Sequence, residues 1–288
     1  MNRSGSLRPS SCPCVASTRP RYLGIALAAI LAASSAIPAS ARSLQDIVNR
    51  RLFAICVHPD APPYSVKEPK PAGLQIDLGE AVAEQLGVDL HEEWVVFRRD
   101  ARQTGCDAIM AGVPDEGRGP PKSDTKSDAL PPGPVMSRPY AASVTRIVTR
   151  PGAPAVTSLD DLRGRSVSVL HASYAHYLLD KRGIAVRTPY HAEDEILAAV
   201  DGGDVDAGIV SEWSFGWYRK NHPAARLQTV EQVVVDPELD FNVAVVLRNV
   251  DAPLLARVNG ILEGMMATDA MARIFRNYGI EYHPPLVR

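Results

Sequence analysis

Residues 205–213 read VDAGIVSEW. Val205, Ala207, Ile209 and Val210 form an apolar run of strand length that stops at a hydroxyl, a carboxylate and a large ring: Ser211, Glu212 and Trp213. A buried strand ending in polar groups reads as the floor of a binding site, because open parallel sheets hold ligands beyond the carboxyl ends of their strands. The preceding chain supports a strand there. AEDEILAAVDGG, immediately upstream, has helical spacing and a stop at Gly202, and SVSVLHASYAHYLLDKRGI reads as strand, turn and helix.

Further out, the same alternation recurs. LFAICV (52–57) is an apolar strand, and HPDAPPYS after it is a loop. Asp77 is placed to cap a helix with Leu78, Ala81, Val82 and Leu86 on one face and Gly87 as its stop. LHEEWVVF (90–97) and CDAIMAGV (106–113) are the next strands, a βαβ order that predicts parallel pairing with right-handed crossovers. Residues 114–135 break the pattern with six prolines and three glycines in 22 residues. They read as a long exposed loop, either a lid or partner-contact segment or an insertion without a role. A second βα series begins with ASVTRIVTR (142–150) and a short helix TSLDDLRG (157–164) capped by Thr157 or Ser158. After it, FNVAVVLR (241–248) is a strand, Asp251 caps a helix, and Thr268 caps a last helix that closes at Gly279. No repeat of 20–50 residues is visible.

The first 41 residues stand apart. Arg3, Arg8, Arg19 and Arg21 precede an apolar run from Tyr22 to Ala33, too short to span a bilayer, which leads to Ala39-Ser40-Ala41. This is the pattern of a cleaved secretory signal, with a retained membrane anchor as the alternative, and cleavage takes Cys12 and Cys14 with it. It carries four of the 31 Lys and Arg residues and none of the 33 Asp and Glu residues, so residues 42–288 have a net charge of −6. That charge excludes an electrostatic footprint for nucleic acid. Cys56 and Cys106 remain. In an oxidising compartment the pair predicts a disulfide if their strands are neighbours, and two buried free thiols if they are not.

Several stretches together resemble a known family. SLDDLRGRSVSVL, GGDVDAGIVSE and residues 241–279, with APPYS and GLQIDLGEAVAEQLGV near the start, resemble the periplasmic solute-binding proteins of the amino-acid type (family 3). The resemblance covers nearly all of residues 50–282. It implies an α/β fold of two lobes, each a mostly parallel sheet flanked by helices, joined by two crossover hinge strands with a ligand cleft between. Lobe 1 would take residues 42–141 and 243–288, and lobe 2 residues 142–242.

Within that family a carboxylate at the end of the strand opened above holds a ligand's ammonium; here the position is Ser211, with Glu212 next. An arginine after the third strand pairs with the ligand's carboxylate; here Arg118 and Arg138 are the candidate anion contacts. Neither arginine is in clear register with the family's, so both charged anchors are missing or displaced, which argues against tight binding of an amino-acid zwitterion.

CVHPDAPPYS, GCDAIMAGVP, SRPYAAS and SEWSFGWYRKNHP are similar to a narrower group, the solute-binding-like proteins associated with PQQ-dependent dehydrogenases, the methanol dehydrogenase helpers. That group shares both cysteine positions and the departure at Ser211. The long 114–135 segment and the short LHASYAHYLL turn depart from it.

The resemblance implies that Tyr64, in the loop after the first strand where the family stacks an aromatic on its ligand, is a cleft wall, with plain surface packing the alternative. On the residues, Ser173 and Tyr174 are candidates as well, their helix start offering backbone N–H groups to an anion unless Ser173 is only a cap. Ser211, Glu212 and Trp213 complete the candidate set. Trp213, Phe215, Trp217 and Tyr218 have spacing that is not simply helical, and read as a core patch, a cleft wall or a partner-contact surface. No catalytic constellation, nucleotide loop or metal signature stands at meaningful spacing, so no cofactor, metal or catalytic residue is expected. The resemblance implies a non-catalytic periplasmic protein that assists a PQQ-dependent methanol or alcohol dehydrogenase by direct contact. The alternatives are a substrate-binding component handing a small polar solute to an ABC permease and, last, a dehydratase-like enzyme on this fold.

Overall fold

The computed structural model describes residues 42–68, 71–96, 104–114, 133–231, 233, 235–248 and 250–287, and all that follows concerns these. The signal segment 1–41 and Arg118 lie outside them, as does most of the proline-rich segment.

The chain opens with α1 (Leu44–Arg50), started by a capping box in which Ser43 and Asp46 satisfy each other's backbone N–H groups. Then come β1 (Leu52–Val57), a small hairpin of β2 (Asp60–Ala61) and β3 (Ser65–Val66), α2 (Leu74–Leu86), β4 (Asp89–Trp94) and β5 (Ala108–Gly112). After them come β6 (Pro134–Met136), β7 (Ala141–Ser143) and β8 (Thr145–Thr149). The middle of the chain holds β9 (Val167–Ser168), α3 (Tyr174–Lys181), β10 (Val186–Arg187), α4 (Glu193–Gly202), β11 (Ala207–Ser211), α5 (Glu212–Asn221) and β12 (Gln228–Thr229). It closes with β13 (Phe241–Arg248), α6 (Ala252–Ala267) and α7 (Ala270–Asn277).

Two sheets result. The first has the order β4-β1-β5-β13-β6, with β1 parallel to β4 and β5, and β13 antiparallel to β5 and β6. The second has the order β10-β9-β11-β8-β12, with β11 parallel to β9 and antiparallel to β8. This is the two-lobe periplasmic binding protein fold. The strand β13 carries a five-residue apolar run, Val243–Leu247, because it lies inside the first sheet, where all but Val246 of that run are buried. In the second sheet neighbouring residues face opposite cores, as the two-residue period of a strand demands. Ile147 and Ile209 join Leu162, Val167 and Leu179 on one side; Val148 and Val210 join Ile196, Leu197 and Phe215 on the other.

Two connections join the sheets. β7 runs through Val144 into β8, and the start of β13 pairs with β7, Asn242 opposite Ala142. The C-terminal segment lies along the same place: Ala142 N–H donates to His283 O (3.0 Å), Leu286 N–H to Asn242 Oδ1 (2.7 Å) and Tyr282 Oη to Tyr140 O (2.9 Å). Three backbone segments therefore share the narrow junction.

Cys56 and Cys106 form a disulfide between the neighbouring strand regions of β1 and β5, with Cα atoms 5.5 Å apart. The loop it closes spans 50 residues of sequence.

Several local expectations need correction. The helix expected from Asp77 begins at Leu74, and Asp77 is an acid in its first turn. Its cap is Gly73 at φ 123°, where a Cβ would stand 2.4 Å from Tyr64 O, so no other residue fits that close approach. The helix expected to stop at Gly202 runs through it and is capped by Gly203. The strand expected over 142–150 is two strands, β7 and β8. The last helix is preceded by Asp269, not Thr268, as its cap residue. Of the segment 114–135, residues 115–132 lie outside the description, but Pro134 and Val135 enter β6 against β13. Residues 212–221, which lacked simple helical spacing, are the helix α5.

Candidate functional site

A cavity of about 450 Å³ lies where the two sheets face each other. One wall is Ala61, Pro62, Pro63 and Tyr64 from the loop after β1. That loop is held by the start of α2, whose Leu74 and Gln75 N–H groups donate to Pro63 O and Tyr64 O at 2.9 Å each. These are donors that a helix N-terminus leaves free. The other wall belongs to the second sheet: Ser173 and Tyr174 at the start of α3, Glu193 and Asp194 at the start of α4, Ser211 at the end of β11, and Ser214 and Trp217 on α5. Phe241 stands at the junction.

Ser211 is both the last residue of β11 and the cap of α5. Its Oγ accepts from Ser214 N–H (3.2 Å) and donates to Glu193 Oε2 (2.6 Å), while its own N–H donates to Glu193 Oε1 (3.1 Å). The Tyr64 hydroxyl comes across the cavity to the hydroxyls of Ser211 and Ser214. Burial, and then the nearby Glu193 charge, push the phenol up to about 12, so it is neutral at physiological pH. Ser173 acts as the cap of α3, accepting from His176 N–H (3.1 Å) and donating to Leu170 O (2.8 Å). The Tyr174 hydroxyl bonds Glu238, a contact that raises its pKa to about 12. Of the expected cleft residues, Tyr64, Ser173, Tyr174 and Ser211 line this one cavity.

The other candidates go elsewhere. Glu212 is 9% exposed and points away from the cavity to Arg146 Nη2 and His283 Nε2, each 3.0 Å from its Oε2. Glu281 is also near, but the Arg146 guanidinium already supplies positive charge to Glu212. Trp213 is buried against the core of the first sheet, edge-on to Phe275 with ring centroids 5.2 Å apart. Trp217, one turn later, packs beside Tyr278. Phe215 and Tyr218 face the other way, into the core of the second sheet. The four aromatics are therefore split between two cores, which is why their spacing does not follow a single helical face. The Arg138 side chain pairs with Glu263 on the surface of α6, and its backbone N–H donates to Asn259 Oδ1 (2.7 Å). It is not among the cavity-lining residues.

Sequence reading missed Glu193. It stands in a run of three acids, Glu193, Asp194 and Glu195, that looks like ordinary favourable charge at a helix start. Only the fold brings it to Ser211. Among the described residues no Lys or Arg lines the cavity, so its charged groups are two carboxylates.

A family model described as ABC transporter, phosphonate, periplasmic substrate-binding protein matches residues 129–284. The chain belongs to that family. No curated protein matches it in sequence. Among solved structures, this phosphonate-type binding-protein chain is similar to an ancestral cationic amino-acid solute-binding protein, AncCDT-1, at 19% identity and TM-score 0.65, covering 82% of this chain and 98% of that one. It is also similar to the L-cystine solute receptor of Neisseria gonorrhoeae in its unliganded open conformation, at 14% identity and TM-score 0.65, covering 84% and 99%. A third is the periplasmic binding protein XoxJ from Methylobacterium extorquens AM1, at 20% identity and TM-score 0.61, covering 82% and 100%. At these identities the likeness is one of fold. Among the described residues no helix is long and apolar enough to cross a membrane.

Proposed function

We propose that the protein is a non-catalytic periplasmic solute-binding-like partner that assists or activates a PQQ-dependent methanol or alcohol dehydrogenase by direct contact, with the cleft between its lobes as the recognition site. The observation that carries this reading is the charge of the cleft. An amino-acid zwitterion needs a carboxylate for its ammonium and a cation for its carboxylate, and a phosphonate needs cations or free N–H groups. Here Ser211 stands at the strand end, the described lining has no Lys or Arg, and a protein carboxylate already takes the Ser211 N–H. A cleft so altered suits a segment of a partner protein better than a free anion or amino acid. The resemblance of CVHPDAPPYS, GCDAIMAGVP and SEWSFGWYRKNHP to dehydrogenase-associated proteins supports the partner's identity, and the same secretory pattern at residues 1–41 supports a periplasmic location.

The family match supports a second reading, a binding component that delivers a small polar solute to an ABC permease. Deleting the gene separates the two. On the first reading, periplasmic dehydrogenase activity and its quinone occupancy fall while solute uptake is unchanged. Unchanged dehydrogenase activity with loss of uptake of some solute leaves the transporter reading standing.

A further inference from the structure

We infer that the cleft selects an organic cation carrying no anionic group, and that Glu193 determines this by filling from within the position an anion would occupy at the start of α5. The inference names the chemistry held by the cleft and rests on the cleft being the recognition site.

The start of a helix attracts anions because its first N–H groups lack partners and its dipole is positive there. In α5 that place is taken. Both Glu193 oxygens bond Ser211, one to its N–H at 3.1 Å and one to its Oγ at 2.6 Å. These are the contacts a ligand carboxylate or phosphonate would make. The carboxylate's hydrogen bonds are satisfied, but no ion pair neutralises it among the described residues, and Asp194 beside it adds a second negative group to the same wall. At the start of α5 an incoming anion therefore meets like charge and donors already taken, an arrangement that rejects it there.

The remaining walls suit a cation. Tyr64, Tyr174, Trp217 and Phe241 put four aromatic rings around the cavity. Ring faces attract ammonium groups, most strongly where water is excluded. The Tyr64 phenol is neutral, so it offers a ring face and an oxygen acceptor without a charge of its own. About 450 Å³ accommodates an alkylammonium or the side chain of a lysine carried by an extended segment. The shared chemistry is a primary ammonium on an alkyl chain, whether free or on a partner's lysine.

The test is calorimetry on protein purified from the periplasm, at pH 7 and low salt. The probes are n-butylammonium chloride, the capped peptide acetyl-Gly-Lys-Gly-amide, and methylphosphonate. The expected result is binding of at least one ammonium probe, no binding of methylphosphonate, and at least a tenfold loss of ammonium affinity in Glu193→Gln. Binding of the peptide alone assigns the cation to a partner's lysine; binding of butylammonium assigns it to a free amine. If Glu193→Gln does not fold, judged by its melting curve, Asp194→Asn replaces it with a smaller loss expected. Methylphosphonate binding, silence of both ammonium probes, or ammonium affinity unchanged in the folded variant overturns the inference. The deletion phenotype is read separately. Lost dehydrogenase activity without ammonium binding sinks only this inference, and ammonium binding with unchanged dehydrogenase activity sinks only the dehydrogenase reading.

Discussion

At the scale of single residues, the Glu212–His283 pair ties the C-terminal segment to the first residue of α5. The hydrogen bond that His283 Nε2 donates to Glu212 is the main cause that raises the His283 pKa above its ordinary 6.5, with the Glu212 and Glu281 charges adding to it, against burial and Arg146. A histidine whose folded pKa is raised contributes stability that is fully present below the unfolded value and is lost as pH rises through the folded one. A charge-assisted bond of this kind, partly open to solvent, is worth about 1 kcal/mol. His283→Ala is therefore expected to lower urea-unfolding stability by about that amount near pH 5.5, with the difference from wild type fading as the pH approaches 9. A difference constant across that range would assign His283 to packing alone. This pair also shows what was hidden in the sequence: Glu212 looked like a cleft group because it follows Ser211, but entering α5 turns it away from the cavity toward residues 66 positions before and 71 after it.

At the scale of elements, α5 is the unit that sequence reading handled least well, and the reason is physical. A surface helix has one apolar stripe, and that stripe is what periodicity detects. α5 has two, because it is packed between two cores, with Trp213 toward one and Phe215 and Tyr218 toward the other. The strand β13, by contrast, was legible to its ends, Phe241–Arg248, since an interior strand shows an apolar run, here Val243–Leu247, too short for a helix. The start of α2 was missed because its cap is a glycine held by a close backbone approach, a signal that Asp77 outweighs in the sequence. The tightest contact of α5 is at Gly216, where an added Cβ would lie 2.4 Å from Gly279 O and 3.0 Å from Ile280 Cα. Alanine in a helix interior normally gains close to 1 kcal/mol over glycine. At Gly216 the sign is expected to reverse, because the obstacle is backbone, and Gly216→Ala is expected to cost about 2 kcal/mol. Chemical denaturation of this variant checks it, with an exposed helix glycine such as Gly260, whose Cβ would meet nothing within 4 Å, as the control expected to gain stability.

At the scale of the whole molecule, the alternation of strand and helix made the two-lobe fold readable, since each lobe repeats a local βα pattern. The cleft was only half readable. Ser173, Tyr174 and Ser211 sit at a strand end or helix start and Tyr64 in the loop after β1, where sites form, and they meet in one cavity. Glu193 had no local signal of its role. The Cys56–Cys106 disulfide acts at this scale as well. Closing a loop of 50 residues limits the unfolded chain by about 4 kcal/mol in the chain-entropy account, an upper figure. The Cys56→Ser, Cys106→Ser double variant is expected to unfold at lower denaturant by up to that amount, and a variant as stable as wild type would place the bond's role elsewhere.

Shared ownership of α5 has a consequence for how the protein melts. A chain with two sheets and two sets of core side chains has the means to lose them one after the other. Here neither can go alone: losing the first strips the walls from Trp213 and Trp217, and losing the second strips them from Phe215 and Tyr218. The lobes are therefore cooperative partners, and a calorimetric scan is expected to show one transition whose van't Hoff and calorimetric enthalpies agree. Replacing Trp213 and Trp217 together by alanine is expected to split that single peak in two, which would make one helix the difference between one cooperative unit and two.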